Sequence, residues 1–390
     1  MLTVRIVERP EEWAALTGGW EALLAASPTD SVFLTHEWLG LWWQCFGSPE
    51  DRLYVAAAFR DGQLCAIAPL RWRCERSAGL RLRLLRSLTN EHTPKYDWLW
   101  RPGDAEAITA LLDAICRRSD WDVLRLDYVP ADSATVAALL AFGLARRLRT
   151  SDEWCISSPY ITIRGTWDEY EASLSDNFGS KTRKAERRLR KAGRLNVVEV
   201  RGGPGLKEAL RRAYVVEQSS WKGAAGSAIA DRPHEERFYT ELAAAASARG
   251  WFRLFFLELD GRPIAFHYCF DYKRTMYSVK IGYDPAFARY SPGTVLKWLI
   301  LKPLFEQRTH DKFDMLGAVS GSKLRWSKEV QDLRSVCLFA RGLRGRLAYE
   351  LQVGVRRRLE HYPRLREAAK RIKTRMSAQR NAERKVNENA

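Results

Sequence analysis

The order of apolar and polar positions predicts a chain of mixed helices and strands. Apolar runs flank an Asp-Gly pair twice, in residues 53–70 and 254–270, which is the signature of a β-hairpin. Helices are predicted over 10–26, 35–46, 104–118, 166–175, 180–193, 204–220, 234–249 and 292–307. Further strands are predicted over 80–88, 121–129, 159–163, 196–201, 274–283 and 312–316, with a polar connection near 149–158. This order predicts an α+β fold with mixed, largely antiparallel sheets flanked by helices.

The two hairpins favour an internal duplication. They align without a gap around Asp61-Gly62 and Asp260-Gly261, and Asp122 and Asp314 stand at similar places in two later strands. Chance similarity between hairpins is the alternative. We predict a first domain over residues 1–150, a second over 158–340 and a basic helical tail over 341–390.

The net charge of +17 is concentrated in two segments. Residues 181–194 hold a net +7 and residues 341–390 a net +10, so the remainder is neutral. The chain is therefore a neutral globular body with two basic segments, which argues against a uniformly basic protein that coats nucleic acid.

Several chemistries and locations are excluded by missing patterns. The sequence has no phosphate-binding loop of the GxxxxGK[ST] type, no HExxH and no GxSxG. Its seven cysteines form no CxxC pair and its six histidines have no metal-ligand spacing, so we expect a reducing compartment and no metal. The N-terminus has no signal-peptide pattern, and the apolar stretch 134–145 is too short to span a bilayer. We therefore expect a cytoplasmic protein.

The segment from Tyr277 to Leu301 carries the most informative chemistry. A strand ends near Tyr283, and Pro292-Gly293 then opens a helix. The backbone N–H groups and positive dipole end of such a helix bind anions, and Arg289 and Lys297 flank this one. An ordinary capped helix is the alternative.

Other motifs follow in order along residues 30–340. They are Phe33 with His36 to Leu39, Asp61-Gly62 with Ala66 to Leu70, Tyr96-Asp97, the basic helix ending at Gly193, Glu217 with Ser220 to Gly223, Phe238-Tyr239, Gly261 with Pro263 to Phe266, Tyr283-Asp284 with Ser291 to Gly293, and Phe313-Asp314 with Gly317, Lys323 and Trp326. In this order and spacing the sequence resembles the GNAT-superfamily acyltransferases with two tandem GNAT-like domains. That branch includes the CelD-like acetyltransferases and the FemAB-type aminoacyl transferases.

The resemblance implies that the second domain binds the donor and that the first is degenerate as a donor site and helps to shape the acceptor cleft. The family's R/Q-x-x-G-x-G/A pattern falls on Arg289 to Thr294, where one glycine fits loosely and the other is replaced. The donor-binding residues implied are Arg289, Ser291, Pro292, Gly293, Thr294 and Lys297. The departure from the pattern leaves both acyl-CoA and aminoacyl-tRNA open as donors.

Acyl transfer to an amine requires amine deprotonation, oxyanion stabilisation and protonation of the leaving group. We predict Lys323 for the oxyanion or leaving group, Asp314 for orienting or deprotonating the amine, and Tyr283 as a phenol donor. The predicted acceptor-binding residues are Trp221, Lys222 and Asp97. The alternatives are a solvated loop lysine, a hydrogen-bonded strand-end carboxylate and packed aromatic rings.

The two basic segments have separate interpretations. Lys184, Arg187, Arg188 and Lys191 share one helix face, which is either a phosphate contact or a solvated surface. In the tail, apolar residues at helical spacing over 351–376 are surrounded by arginines and lysines, interrupted by Pro363. Such a helix either docks on an anionic membrane or packs on the second domain.

Three hypotheses follow. The first is an N-acyltransferase that uses acetyl-CoA or another acyl-CoA on an amine, an amino sugar of cell-envelope or exopolysaccharide synthesis in a bacterium. The acceptor would be a small molecule or a lipid- or nucleotide-linked sugar. The second is a FemAB-type transferase that uses aminoacyl-tRNA. The third is a non-catalytic protein that tethers a biosynthetic complex to the inner face of the membrane.

Overall fold

One long twisted sheet organises the fold, which we describe from a computed structural model covering residues 1–77, 79–220 and 229–354. In this part of the chain thirteen strands occur, and twelve of them run in the order β1-β2-β3-β4-β6-β13-β7-β12-β11-β10-β9-β8, with β5 paired to β3. The strands are β1 Leu2–Val7, β2 Arg52–Arg60, β3 Gln63–Ser77, β4 Leu80–Ser87, β5 Leu99–Trp100, β6 Val123–Pro130, β7 Arg149–Thr162, β8 Leu195–Val200, β9 Phe252–Leu259, β10 Arg262–Tyr272, β11 Thr275–Tyr283, β12 Lys312–Asp314 and β13 Val330–Phe339. Mixed strands with helices on both faces confirm the predicted fold class.

Most helices lie where the periodicity predicts them. They are α1 Pro10–Ala14, α2 Thr17–Ala26, α3 His36–Phe46, α4 Ala105–Arg117, α5 Ala134–Ala145, α6 Trp167–Ser173, α7 Asp176–Ala192, α8 Leu206–Gln218, α9 Pro233–Ala248, α10 Pro292–Gln307, α11 Gly321–Leu324 and α12 Leu343–Tyr349. The helix predicted over 10–26 is divided into α1 and α2, and α5 and α11 were not predicted. Short 3-10 turns precede α3, α9 and α10.

The two halves repeat one another down to their irregularities. The turn residues Asp61-Gly62 and Asp260-Gly261 all have positive φ angles, close to 50° for each Asp and 81–82° for each Gly. In each hairpin one residue of the second strand is skipped in the register, Cys65 in the first and Ile264 in the second. A shared turn and a shared bulge at the same offset support the duplication.

The prediction that Asp122 matches Asp314 is wrong by three residues. Asp122 pairs with Arg83 and its N–H donates to the Arg83 carbonyl oxygen over 2.7 Å. Asp311 makes the same two contacts with Arg274, the N–H bond there being 2.8 Å long. The equivalent of Asp122 is therefore Asp311, which opens β12 as Asp122 opens β6.

The halves exchange a strand at the centre of the sheet. Strand β13, from the end of the second half, lies between β6 and β7 of the first, and β7 in turn pairs with both β13 and β12. The polar connection predicted near 149–158 is thus wrong, because these residues form most of β7. Strands β1 and β13 were not expected either. The predicted boundaries near 150 and 340 do not separate two sheets, since each half completes the other.

The helices bury their apolar faces on both sides of the sheet. One core joins the first half to α8 and α9, so that the Trp38 ring packs edge-on against Phe238 and Phe270, with centroids 5.7 and 5.2 Å apart. A second core lies between β9–β12 and helices α6, α7 and α10. Both halves therefore depend on shared apolar contacts.

The two basic segments begin as predicted. In α7, Lys184, Arg187, Arg188 and Lys191 are exposed and Leu189 is buried. The tail starts with α12 and a short π-helical turn, Glu350–Gly354, and its remainder, 355–390, lies outside the described residues. Within the described residues no helix has the length and apolar character needed to cross a bilayer.

Candidate functional site

A gap opens in the sheet of the second half where two parallel strands separate. Strands β11 and β12 pair only from Thr275–Lys312 to Tyr277–Asp314, after which β12 ends and β11 continues to Tyr283. Because the strands diverge, the residues beyond the last pair line a cavity of about 490 Å³. The cavity is lined by Ser278 to Ile281 and Tyr283 from β11, Met315 to Gly317 after β12, Ala288, Ser291 to Thr294 and Lys297 around α10, Ser322, Lys323, Arg325 and Trp326, Phe178 from α7, Tyr239 from α9, and Glu91, His92 and Pro94 of the first half.

A β-bulge distinguishes β11 from its counterpart β4. Tyr268 pairs with Lys280 and Cys269 with Ser278, which leaves Val279 out of the register at the cavity wall. The equivalent β3–β4 pairing runs from Leu70–Ser87 to Ser77–Leu80 without interruption. Bulges are enriched next to active sites because they redirect backbone groups.

The first turn of α10 faces the cavity without a side-chain cap. Ser291 precedes Pro292 in the left-handed region, with φ 50° and ψ 51°, and its side chain caps no N–H. A Cβ added at Gly293 would meet only the Tyr283 ring, at 3.8 Å. This turn is therefore open toward the cavity, as an anion-binding helix start requires.

Two lysines provide positive charge inside the cavity. Lys297, one turn along α10, is only 7% exposed, and its ammonium lies 5.2 Å from the centroid of the Trp326 ring. Burial and the neighbouring Lys323 lower the pKa of Lys297 to about 8. Burial also lowers the pKa of Lys323, whose ammonium donates to the carbonyl oxygens of Leu316 and Ala318. Among the described residues, no carboxylate lies within salt-bridge distance of either lysine, so the cavity has an excess of positive charge.

The loop after β12 is held by Asp314, which is fully buried. Its carboxylate accepts from Lys95 Nζ over 2.6 Å and from the Leu316 N–H over 3.1 Å. Burial opposes ionisation, but Lys95 and Lys312 hold the pKa of Asp314 below its ordinary value. Leu316 and Gly317 follow with positive φ angles of 51° and 60°. Asp314 thus shapes the turn beside Lys323 and lies behind the lining of the cavity.

The first half contributes a polar wall. His92 Nδ1 lies 2.8 Å from the Tyr239 hydroxyl and its Nε2 lies 3.4 Å from Glu235. Burial opposes ionisation of Glu235, but His92 and Arg232 lower its pKa to about 2. The Lys280 ammonium is 4.0 Å from Glu235 Oε2 and 4.8 Å from the Tyr239 ring centroid. Sequence reasoning missed His92, Glu235 and Lys280. His92 and Tyr239 are 147 residues apart, and only the Phe238-Tyr239 motif pointed to this wall.

The structure brings together most of the predicted donor-site residues. Ser291, Pro292, Gly293, Thr294 and Lys297 line the cavity, as do Tyr283 and Lys323. Arg289 is exposed and lies over Tyr290 at 4.7 Å, outside the lining.

Asp97, one of the three predicted acceptor residues, is not brought to the cavity. Asp97 is 1% exposed and lies outside the lining, and burial raises its pKa to about 6 although the Trp98 N–H donates to its carboxylate over 2.8 Å. Its assignment to the acceptor site is therefore not supported by its position. Trp221 and Lys222 lie outside the described residues.

The basic helix reaches the edge of this site. Tyr290, just before α10, has the guanidinium groups of Arg188 and Arg289 over its ring at 5.1 and 4.7 Å. Within α7, Arg183 pairs with Glu171 and Arg190 with Glu186. The exposed face of α7 therefore continues the positive charge of the cavity outward.

The equivalent gap in the first half is closed. The Asp127 N–H donates to Ser87 Oγ over 3.1 Å, and the Tyr96 N–H donates to the Tyr128 carbonyl oxygen over 3.1 Å. At the start of α4 the Asp104 carboxylate accepts from the Ala107 N–H and pairs with Arg60. A carboxylate of the chain itself thus occupies the helix start that α10 leaves open.

Comparisons with known proteins agree with this geometry. A family model described as an acetyltransferase (GNAT) domain matches residues 177–324. FemX is similar in structure, with 14% identity and a TM-score of 0.57 over 89% of this chain and 99% of its own. A conserved protein of unknown function from Bacteroides thetaiotaomicron has 11% identity and a TM-score of 0.54, over 87% and 100% of the two chains.

The C-terminal domain of a putative lysylphosphatidylglycerol synthetase from Agrobacterium fabrum has 10% identity and a TM-score of 0.50, over 84% of this chain and 92% of its own. At these identities the structures indicate a shared fold. A search of curated proteins finds no significant match. The matched domain contains most of α7, the β11 bulge, the start of α10 and Lys323, so it covers most of the cavity lining, and it supports an acyltransferase. Residues 177–324 thus match a GNAT-type acetyltransferase domain, and the chain shares the fold of these similar structures.

Proposed function

We propose that the protein is an N-acyltransferase that moves an acetyl or other acyl group from an acyl-CoA donor to an amine. We propose further that the acceptor is an amino sugar of cell-envelope or exopolysaccharide synthesis, as a small molecule or a lipid- or nucleotide-linked sugar. The observation that carries the donor assignment is the uncapped start of α10 opening into a cavity with one buried lysine, Lys297, and one half-buried lysine, Lys323.

The donor side follows from charge. The pyrophosphate of the donor is assigned to the Gly293 N–H and the positive dipole end of α10, because Pro292 has no N–H and the Thr294 and Val295 N–H groups donate to the Ser291 carbonyl oxygen. The exposed arginines around Tyr290 lie at its outer end. The interior is lined by apolar rings such as Phe178 and Trp326, which suit the uncharged arm that carries the acyl group. Charged groups along this path thus lie where the pyrophosphate would bind, and apolar rings lie where the acyl-bearing arm would bind.

The reacting centre is assigned to the gap between β11 and β12. The bulge at Val279 supplies a backbone N–H for the acyl carbonyl oxygen, and Lys297 and Lys323 stabilise the oxyanion that develops there. Tyr283, beside Gly293 and 39% exposed, donates a proton to the leaving thiolate, and the proton that the attacking amine loses returns to the phenolate through solvent. Asp314 acts as a positioning residue, because it is paired with Lys95 and holds the Leu316 turn.

Donor binding is the first test. Isothermal titration with acetyl-CoA should give measurable affinity, and Lys297→Gln should weaken it by about tenfold, because the loss of one buried cation costs about 1.4 kcal/mol. Lys302→Gln is the matched control on the same helix, since Lys302 is half exposed and near Glu306. No binding at millimolar donor would overturn the acyl-CoA assignment.

Acceptor specificity needs its own measurement. Thiol release from acetyl-CoA should rise when amino sugars are added, and it should stay at the background rate with sugars that carry a hydroxyl in place of the amine. Stimulation by both sets would contradict an amine acceptor.

The exposed basic face of α7 favours a second candidate donor, aminoacyl-tRNA. Lys184, Arg187 and Lys191 lie on the helix that touches Tyr290, where an extended polyanion would approach the cavity. Under this alternative the protein would co-purify with RNA in low salt and release it in high salt, because phosphate contacts are salt-dependent. Binding of acetyl-CoA without RNA would favour the first candidate.

We propose in addition that the tail over 341–376 attaches the protein peripherally to the inner face of the membrane. Its sequence combines an apolar stripe with basic flanks, although residues 355–376 lie outside the described residues. A chain ending at Gly354 should lose part of its binding to anionic vesicles in a co-sedimentation assay. Equal binding of the shortened and full-length chains to the vesicles would contradict this part of the proposal.

A further inference from the structure

The first described turns of the tail expose their apolar face to solvent. Leu343, Leu347 and Leu351 recur every fourth residue and are 74%, 41% and 38% exposed, while Gly345 and Ala348 are buried against the sheet. Helix α12 sits so close that a Cβ at Gly345 would overlap the Ala340 carbonyl. An ordinary surface helix has the reverse arrangement, with its large apolar residues turned inward.

A cavity rich in arginine lies next to this helix, at one end of the first-half sheet. It has a volume of about 400 Å³ and is lined by five arginines and two aspartates. The charged lining residues are Arg83, Arg117, Arg118, Arg146, Arg341, Asp113 and Asp122. The lining therefore has a net charge of +3, which falls to +1 when Glu8 and Asp120, the ion-pair partners of Arg118, are included.

Local pairing accounts for only part of this charge. Arg83 pairs with Asp122, Arg146 with Asp113, and Arg118 with Asp120 and Glu8. The C-termini of α4 and α5 also meet here and attract cations. In the described part of the chain, however, Arg117 and Arg341 have no carboxylate within salt-bridge distance. Arg341 follows strand β13, so it does not lie at the C-terminus of a helix either.

The start of α12 and the arginine cavity meet at the end of the first-half sheet, although α5 and α12 pack on opposite faces of it. Arg341 Nη2 donates to the Arg146 carbonyl oxygen over 2.7 Å, which joins the start of α12 to the end of α5. Leu144 lies two residues before Arg146 and is 82% exposed, and Leu343 lies two residues after Arg341. The exposed arginines Arg147, Arg344 and Arg346 complete its rim. Apolar residues with a basic rim are the pattern of a surface that meets an anionic bilayer.

We propose that this leucine–arginine surface, formed by Leu144, Leu343, Leu347 and Leu351 with the arginines around them, docks on an anionic phospholipid membrane. The arginine cavity takes a headgroup phosphate and the leucines enter the acyl boundary. A second copy of the chain fits less well, because a two-fold contact would place arginines against arginines. The proposal goes beyond acyl transfer and uses none of residues 355–390.

Vesicle flotation with the full chain tests the docking surface. The wild type should bind vesicles of phosphatidylglycerol mixed with phosphatidylcholine and should bind vesicles of phosphatidylcholine alone weakly. The double variant Leu343→Ser with Leu347→Ser should lower the bound fraction at least roughly tenfold. The double variant Arg117→Glu with Arg344→Glu should lower it by at least the same factor, since each basic residue near such a surface contributes about fivefold in affinity. All four residues are exposed, and an unchanged unfolding midpoint shows that the fold survives.

Control variants and phosphate separate this surface from general charge effects. Lys207→Glu with Val215→Ser makes comparable changes on exposed positions of α8 and should leave vesicle binding unchanged. Inorganic phosphate at physiological concentration should not displace the protein, because the leucines contribute to binding. Four outcomes would each overturn the proposal. The first two are vesicle binding by the leucine variant at the wild-type level and equal binding of the wild type to both vesicle types. The others are displacement by phosphate and, in sedimentation, a dimer that Leu343→Ser dissociates.

Discussion

Lys297 illustrates how burial changes the chemistry of a single residue. Its sequence position on α10 was predictable, but its lowered pKa follows from burial beside Lys323 in the cavity. The same charge acts on His267, whose imidazole lies 3.1 Å from Ser278 Oγ and whose pKa burial and Lys297 lower to about 3. Positive charge without a carboxylate partner is tolerated at a site that receives an anion.

Donor binding should therefore depend on pH. An anion favours the charged form of Lys297, so affinity should be full below pH 8 and should fall as pH rises through the pKa of about 8. If only the charged form binds, the dissociation constant for acetyl-CoA should rise about tenfold from pH 7 to 9. Titration calorimetry at both pH values checks this. The Lys297→Gln variant should show a flatter profile, and an equally steep one would assign the titration to another group.

Asp97 gives a prediction about stability. Its pKa is about 6 in the folded protein against an ordinary 3.8, so the folded state holds a proton that the unfolded state has lost between these values. Stability should therefore fall as pH rises from about 4 to 6, and Asp97→Asn should raise the free energy of unfolding at pH 7 by about 2 kcal/mol. Denaturant unfolding at pH 4 and pH 7 measures both. Glu11→Gln, at an exposed helix position, should change neither, and a lower stability of Asp97→Asn at pH 7 would contradict the assignment.

At the scale of elements, the same strand–helix–strand unit has two outcomes in one chain. In the first half Asp104 caps α4 and hydrogen bonds bridge the gap after β4, while in the second half α10 is uncapped and the β11 bulge lines an open cavity. Few local changes separate the two. The helix start and the bulge are therefore the elements that convert a structural unit into a binding site.

Ser291, which lies between the β11 bulge and α10, has an unfavourable left-handed backbone conformation. A non-glycine residue with φ 50° costs on the order of 1 kcal/mol, part of which glycine would recover. Ser291→Gly should raise the free energy of unfolding by about 0.5 kcal/mol, Ser291→Ala should leave it nearly unchanged, and Ser291→Val should lower it by more than 1 kcal/mol. Thermal unfolding of the three variants gives the order. A stable Val variant would mean that the turn relaxes at no cost.

At the scale of the whole molecule, the two halves form one structural unit. Strands β7 and β13 are exchanged across the centre of the sheet, and the largest core contains residues of both halves. A partner strand and shared apolar contacts are lost together when either half unfolds. The tandem organisation is thus a duplication in sequence without two independent sheets.

We expect a single unfolding transition. Tryptophan fluorescence and far-ultraviolet circular dichroism should give coincident urea curves, because neither half keeps its central strand without the other. A chain ending at Glu329 lacks β13 and should lose the folded signal of β6 and β7 in the first half as well. Two separate transitions, or a folded first half in the shortened chain, would show that the halves are independent.

Sequence and tertiary structure contributed different parts of this description. The hairpins, the Asp-Gly turns, the basic helix and the Pro292-Gly293 helix start were predictable, because each depends on residues that are neighbours in the chain. The strand exchange, the Lys95–Asp314 pair across 219 residues and the His92–Tyr239 wall were not, because nothing local encodes a contact between distant segments. The sequence alone thus determined which elements form and which helix start can bind an anion. Tertiary structure decided which gap stays open, which lysines are buried in it and which half supplies its far wall, because these depend on packing between segments that meet only in the fold.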